Sequence, residues 1–219
     1  MNIAVSVLLI MMVVIMTRKY RQDVTSKKQA RSSVFDGCDS LLQDPQASWD
    51  KANLPVLYGN YAGFKVQLSV VEDTLGWRKI PPLWLLIKVA ANHPSHGTLD
   101  FIARPANNEF YSPSWQWDGS MKIPARWPQH AILKYLKQPV DLALLDNDVP
   151  ELFADTKMKE LLVTPDMTRL TYMIKQGERG EYLLMRNAVY NNSPVSKDIV
   201  ESLLKKAVAI RRNLENAVI

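Results

Sequence analysis

The chain has 219 residues, 27 Lys and Arg against 22 Asp and Glu, and a single cysteine, which excludes an internal disulfide framework. Its net charge of +5 sits wholly in residues 1–33, which carry six bases and one acid, so the remainder is neutral. A basic excess confined to one end argues against a nucleic-acid-binding domain and for a partner at that end.

That end opens on an uncharged apolar run, Ile3–Met16, followed at once by Arg18, Lys19, Arg21, Lys27, Lys28 and Arg31. A secretory signal would place bases before the run and small residues after it, and the order here is the reverse. A core helix would carry a polar face, and Ser6 is the only polar residue in the run. The pattern therefore predicts a transmembrane anchor, with Ile3, Val5, Leu8, Leu9, Ile10, Val13, Val14 and Ile15 in the apolar layer. A helix of this length rises roughly 25 Å, against a hydrocarbon core of about 30 Å. Snorkelling by Arg18 and Lys19, an interfacial Tyr20 and local thinning of the bilayer reduce the mismatch. Because Lys and Arg stay on the cytoplasmic side, the expected topology is single-pass in a cell inner membrane, N-terminus outside and the following domain cytoplasmic. The six bases are the expected contacts to anionic lipid head groups.

Residues 34–53 read as a linker, and residues 54–219 as one soluble domain. Val56–Tyr61 reads as a strand, and in Phe64–Val71 the residues Phe64, Val66, Leu68 and Val70 alternate with polar positions; Ala62-Gly63 between them predicts a tight hairpin. Leu83–Ala90 suits a central strand, with Thr98–Ala103 as its expected partner. Residues 104–128 carry Pro105, Pro113, Pro124 and Pro128 among aromatic rings, a composition that forbids a helix and predicts an extended excursion. Within and just after it, Phe110, Tyr111, Trp115, Trp117 and Trp127 are candidate partner contacts, the bland alternative being that they cover a sheet face. Val140–Leu145 reads as a strand. Helices are expected over Lys157–Val163, capped by Asp155, and over Met167–Ile174, started by Thr164-Pro165-Asp166. Tyr182–Arg186 reads as a strand. After a Ser196 cap, Val200, Leu203, Leu204, Ala207, Ile210 and Leu214 make a helical stripe.

The fold class so predicted is α+β: one transmembrane helix, then a single domain with a mainly antiparallel sheet and C-terminal helices. The pattern Gly59-x-Tyr61-x-Gly63-x-x-Val66, the Leu161-Leu162-x-Thr164-Pro165 element and the closing amphipathic helix resemble an uncharacterised family of bacterial proteins. The resemblance spans residues 56–215 and implies a small α+β domain behind a hydrophobic N-terminal segment. It implies no activity.

Catalytic signatures do not emerge. His93-x-x-His96 lies in a Pro- and Gly-containing turn without the third and fourth ligands that a zinc site needs. The acids Asp141, Asp146, Asp148, Glu151 and Asp155 lack the spacing of a calcium loop. Cys38 and the Ser48-x-x-Lys51 pair stand without the companions of a nucleophile. No catalytic residue, metal or cofactor is therefore expected. The predicted role is a non-catalytic accessory subunit on the cytoplasmic membrane face, contacting lipid and other subunits of a membrane complex. The alternative is a membrane-anchored enzyme or small-ligand-binding domain.

Overall fold

The computed structural model describes residues 10–18, 21, 31–73, 80–106, 109–179 and 188–217. Nine strands are found among them: β1 (Gln43–Trp49), β2 (Pro55–Tyr61), β3 (Phe64–Glu72), β4 (Pro82–Ala90), β5 (Leu99–Ala103), β6 (Gly119–Ser120), β7 (Ala131–Tyr135), β8 (Met158–Thr164) and β9 (Met167–Gln176). They form one sheet in the order β1-β2-β3-β4-β9-β8-β5-β7-β6, each adjacent pair antiparallel. A short helix, α1 (Asp148–Phe153), and a long one, α2 (Lys197–Asn216), complete the domain. The class is α+β, with a large antiparallel sheet and a C-terminal helix.

One face of the sheet carries the main core. Leu85, Ile87 and Val89 of β4, Leu170 and Tyr172 of β9, and Leu161 and Val163 of β8 join the buried stripe of α2 in one cluster. All six stripe residues expected from the sequence, Val200 through Leu214, are buried there. The β2–β3 hairpin also forms as expected, with Tyr61 opposite Phe64. Its two loop residues, Ala62 and Gly63, both take positive φ, +50° and +86°, as the twist of a two-residue hairpin requires.

Several expectations are corrected. Lys157–Val163 and Met167–Ile174 are not helices: Met158–Val163 lies in β8, after a turn at Lys157, and Met167–Ile174 lies in β9, so among the described residues only α2 is a long C-terminal helix. Asp155 does accept a backbone N–H two residues on, from Lys157 at 2.8 Å, but as a turn leading into a strand. Pro165 and Asp166 likewise form the turn of the β8–β9 hairpin. That hairpin lies between β4 and β5, so Thr98–Ala103 pairs with β7 and β8 rather than with Leu83–Ala90. Leu142–Leu145 is a 3-10 turn capped by the Asp141 carboxylate, not a strand. Residues 34–53, expected as a linker, place Val34, Phe35, Cys38 and Leu42 in the core cluster and add β1 to the sheet edge.

Residues 10–18 are helical, with Ile10 through Met16 exposed. Among the described residues no helix is long and apolar enough to cross a membrane. Ile3, Val5, Leu8, Leu9, Lys19, Lys27 and Lys28 lie outside the described residues, as does Tyr182–Arg186.

Candidate functional site: the aromatic excursion and its polar floor

The second face of the sheet is built differently. Strand alternation sends every other residue away from α2, and the register lines up Leu86, Thr171, Glu160 and Ile102 in one row across four strands. The next row runs Lys88, Arg169, Leu162, Asp100 and Lys134. A bulge between Met158 and Glu160 lets Lys159 and Glu160 both turn toward this face. The covering layer comes from the segment after β5, described over residues 104–106 and 109–118. A 3-10 turn over Pro113–Gln116, capped by the Ser112 hydroxyl, interrupts its extended course.

Charged side chains hold this cover by its main chain. Arg169 donates to the Tyr111 carbonyl at 3.0 Å while pairing with the fully buried Glu160 at 2.9 Å. Lys134 donates to the Ser114 carbonyl at 3.0 Å, and Lys159 to the Arg104 carbonyl at 2.6 Å. Lys159 also pairs with Glu109 at 2.7 Å, and Glu109 accepts the Ala106 N–H at 2.7 Å. Burial would raise the Glu109 carboxyl, but Lys159 and the Ala106 amide outweigh it and hold the pKa below the ordinary value.

Asp100 is fully buried and accepts a short hydrogen bond from the Ser112 hydroxyl. Burial and the neighbouring Glu160 carboxylate push its pKa well above the ordinary carboxylate range. Among the described residues its other oxygen, Oδ1, has no partner as an acceptor. As a protonated acid, Asp100 gains a hydrogen to share with Glu160, which lies within hydrogen-bonding reach. Two adjacent buried carboxyls beside one guanidinium favour one proton between them.

The five candidate aromatic contacts separate on this scaffold. Trp127 is core: its ring meets Phe101 edge-on at 5.3 Å, and its Nε1–H donates to Asp146 at 3.2 Å. Trp117 is buried as well, so neither ring is presented to a partner. Tyr111 is half-buried, 6.1 Å from the Trp84 ring and 5.6 Å from Phe110. Phe110 and Trp115 stand at the surface, 49% and 52% exposed. Trp115 is nevertheless oriented, because its Nε1–H donates to the Glu109 carbonyl at 3.0 Å.

The remaining candidates do not converge. His93 and His96 are exposed, and among the described residues no group of three or more His, Cys, Asp or Glu could hold a metal ion. The Cys38 thiol is enclosed, and burial pushes its pKa up to about 11, which suppresses the reactive thiolate. Ser48 and Lys51 are both exposed at the β1 edge. Arg31, expected at lipid head groups, forms a two-pronged pair with Glu72 of β3, both contacts at 3.1 Å. Sequence reasoning missed Arg211. It is fully buried in α2 and donates to the Thr164, Pro165 and His93 carbonyls, fastening the β8–β9 turn. An arginine beside the apolar stripe of α2 was the available signal.

No known protein family matches the chain, and no curated protein matches it. Among solved structures, the crystal structure of the mycobacterial trehalose monomycolate transport factor A, TtfA, is similar over 82% of this chain and 76% of that one. The identity is 10% and the TM-score 0.35, a likeness that carries no functional inference.

Proposed function

We propose that this chain is a non-catalytic accessory domain that contacts a larger membrane assembly. Residues 1–33 tether it to the cytoplasmic face of the membrane, with Arg18 and its neighbours at lipid head groups. The observation that carries the reading is the exposed pair Phe110 and Trp115, borne on a segment whose Tyr111 and Ser114 carbonyls are held by the half-buried cations Arg169 and Lys134. Large rings held in place before binding lose little freedom on association, which is the property of an interaction anchor. Tethering raises the local concentration of such a patch for a partner in the same membrane.

Mild detergent extraction followed by blue-native electrophoresis tests the assembly. The wild-type chain should migrate with a larger complex, and the double substitution Phe110→Ala and Trp115→Ala should release it as a lone species with a melting temperature lowered by no more than about 4 °C. Migration of the wild type as a lone species would overturn the reading. Labelling of an Asn2→Cys variant in intact cells by a membrane-impermeant thiol reagent checks the expected orientation.

A further inference from the structure

The sheet ends in two edges of opposite charge. At the β1 end, residues 36–53 hold exposed Asp36, Asp39, Asp44 and Asp50 against Lys51, and Lys197 of α2 approaches Cys38 there, which leaves −2. At the other end, residues 119–138 hold Lys122, Arg126, Lys134 and Lys137 and no acid. Asp146, paired with Arg126 at 3.1 Å, and Asp118 just before β6 reduce that end to +2. The same two ends carry apolar groups. Outside residues 10–17, the exposed large hydrophobic side chains among the described residues are Trp49, Tyr58, Phe110, Trp115 and Leu136. Phe110 and Trp115 belong to the excursion, Trp49 and Tyr58 to β1 and β2, and Leu136 follows β7.

One end is hollow and the other carries a turn. Beside β1 a cleft of about 340 Å³ is lined by Phe35, Asp36, Asp39 and Trp49, with no Lys or Arg among its described lining residues. Beyond β7, exposed Leu136 and Lys137 share a tight turn in which the Gln138 N–H donates to the Leu136 carbonyl at 2.7 Å. Along the nine-stranded sheet these edges lie eight strand spacings of about 4.8 Å apart, so the turn cannot fill the cleft of its own molecule.

We propose that the chain associates with itself head to tail, the Leu136–Lys137 turn of one copy entering the acidic cleft beside β1 of the next. Asp36 and Asp39 receive the Lys137 ammonium, and Leu136 packs against the Trp49 ring. Lys122, Asp44 and Asp50 add to the attraction across the contact. Backbone pairing between the edges is blunted: Pro45 has no N–H, β1 is irregular between Gln43 and Gln46, and β6 has two residues. Side chains therefore carry the contact, and it responds to salt. Because it joins two different patches, it builds a ring or a row of copies. Lipid is the rival occupant of the basic edge. The N-terminal bases, however, enter at the opposite end, where Arg31 pairs with Glu72 of β3 and Asp36 and Asp39 follow. That leaves the basic edge remote from them and favours another copy.

The test is energy transfer between donor- and acceptor-labelled copies of the purified full chain in vesicles of neutral phosphatidylcholine. The label sits on an exposed Asn216→Cys, and the enclosed Cys38 thiol stays unlabelled. Transfer should exceed that of random mixing. It should fall at least about threefold between roughly 0.1 M and roughly 1 M salt, as the screening length shrinks from about 10 Å to about 3 Å. Two charge reversals at exposed positions then separate the edges: Asp36→Lys with Asp39→Lys, and Lys122→Glu with Lys137→Glu. Either alone gives two edges of like sign and should abolish transfer. An equal mixture of the two variants should recover at least about half of it, because each cleft again meets a turn of opposite charge. A chain bearing all four substitutions should recover likewise. Phe110→Ala with Trp115→Ala should leave transfer unchanged, which separates this contact from the proposed partner patch. Wild-type transfer no higher than random mixing would overturn the proposal, as would reversal variants that still associate alone or fail to recover together. Transfer that requires phosphatidylglycerol in the vesicles would assign the basic edge to lipid, and the proposal would fall.

Discussion

The two faces of the sheet meet opposite demands from their covers. An α-helix bonds its own backbone, so the floor beneath α2 can be mainly apolar, as Leu85, Ile87, Leu161 and Leu170 are, with Thr168 in the same face. The excursion over the other face is irregular and proline-rich, and its described residues lack the regular ladder of backbone bonds that a helix makes for itself. A buried carbonyl needs a donor. The sheet supplies donors from Arg169, Lys134 and Lys159, and two of them, Arg169 and Lys159, are paired in turn with Glu160 and Glu109. Polarity on the second face is thus a consequence of what covers it. The cost is desolvation, and the return is a main chain held firmly enough to present two exposed rings.

Neighbouring residues on β8 break the comparison most sharply, since Glu160 faces the excursion and Leu161 faces the helix. Glu160→Ala strands Arg169 without its carboxylate and should cost about 3–5 kcal/mol by denaturant unfolding. Leu161→Ala should cost about 2–5 kcal/mol through the cavity it leaves. A second step separates the two mechanisms. The pair Glu160→Leu with Arg169→Met removes both charges and should recover most of the stability, because a buried ion pair adds little over well-packed apolar groups. It also removes the clamp on the Tyr111 carbonyl, so amide exchange across residues 109–116 should accelerate even as global stability returns. Unchanged exchange there would show that the cations do not hold the excursion.

The same contrast explains what was legible in the sequence. Strand β3 and the α2 stripe were readable because each has one buried and one more exposed side, giving clean periods of two and 3.6. Strands β8 and β9 are covered on both faces, so Arg169 and Thr171 resembled the polar side of a helix. Asp155 and Thr164-Pro165-Asp166 compounded the error, because the same residues serve helix caps and turns. Strand β1 was hidden for the opposite reason: all seven of its residues are exposed, and no apolar alternation marks it. The excursion itself was legible from its prolines. Its division into buried Trp117 and Trp127 and exposed Phe110 and Trp115 depends on contacts with strands far away in sequence. The polar floor, Asp100 and Glu160 above all, is invisible to any rule that sends acids outward.

A smaller effect sharpens the comparison through pH. Asp100 has its folded pKa raised, so the native state holds a proton that the unfolded chain releases earlier. Its contribution is fully present below the ordinary carboxylate pKa and is lost as pH rises through the raised folded value. Melting temperature should therefore fall across that window, and Asp100→Asn, which mimics the protonated acid, should flatten the fall. Glu109 runs the other way. Its folded pKa is lowered, so its contribution is present above the unfolded pKa and disappears on acidification through the folded one. Glu109→Gln should therefore weaken the fold at neutral pH and lose that penalty in acid. Reversal of either profile would mean that Asp100 is ionised, or Glu109 protonated, in the folded polar floor.

The smallest expected change in stability comes at the surface of the excursion. Phe110 and Trp115 are about half exposed, and the backbone beneath them is held by Arg169 and Lys134 through main-chain carbonyls that truncation leaves in place. Replacing both rings with Ala should shift unfolding by no more than about 0.5–1 kcal/mol, the ordinary scale of surface substitutions with a little lost packing. Core rings give the control: Trp127→Ala, which empties the space beside Phe101, should cost about 3–5 kcal/mol. If the surface pair cost as much as Trp127, the two rings would be structural, and their exposure would need no partner to explain it. If stability holds while co-migration with the membrane assembly is lost, the polar floor has a purpose beyond the fold: it supports the rings that the partner reads.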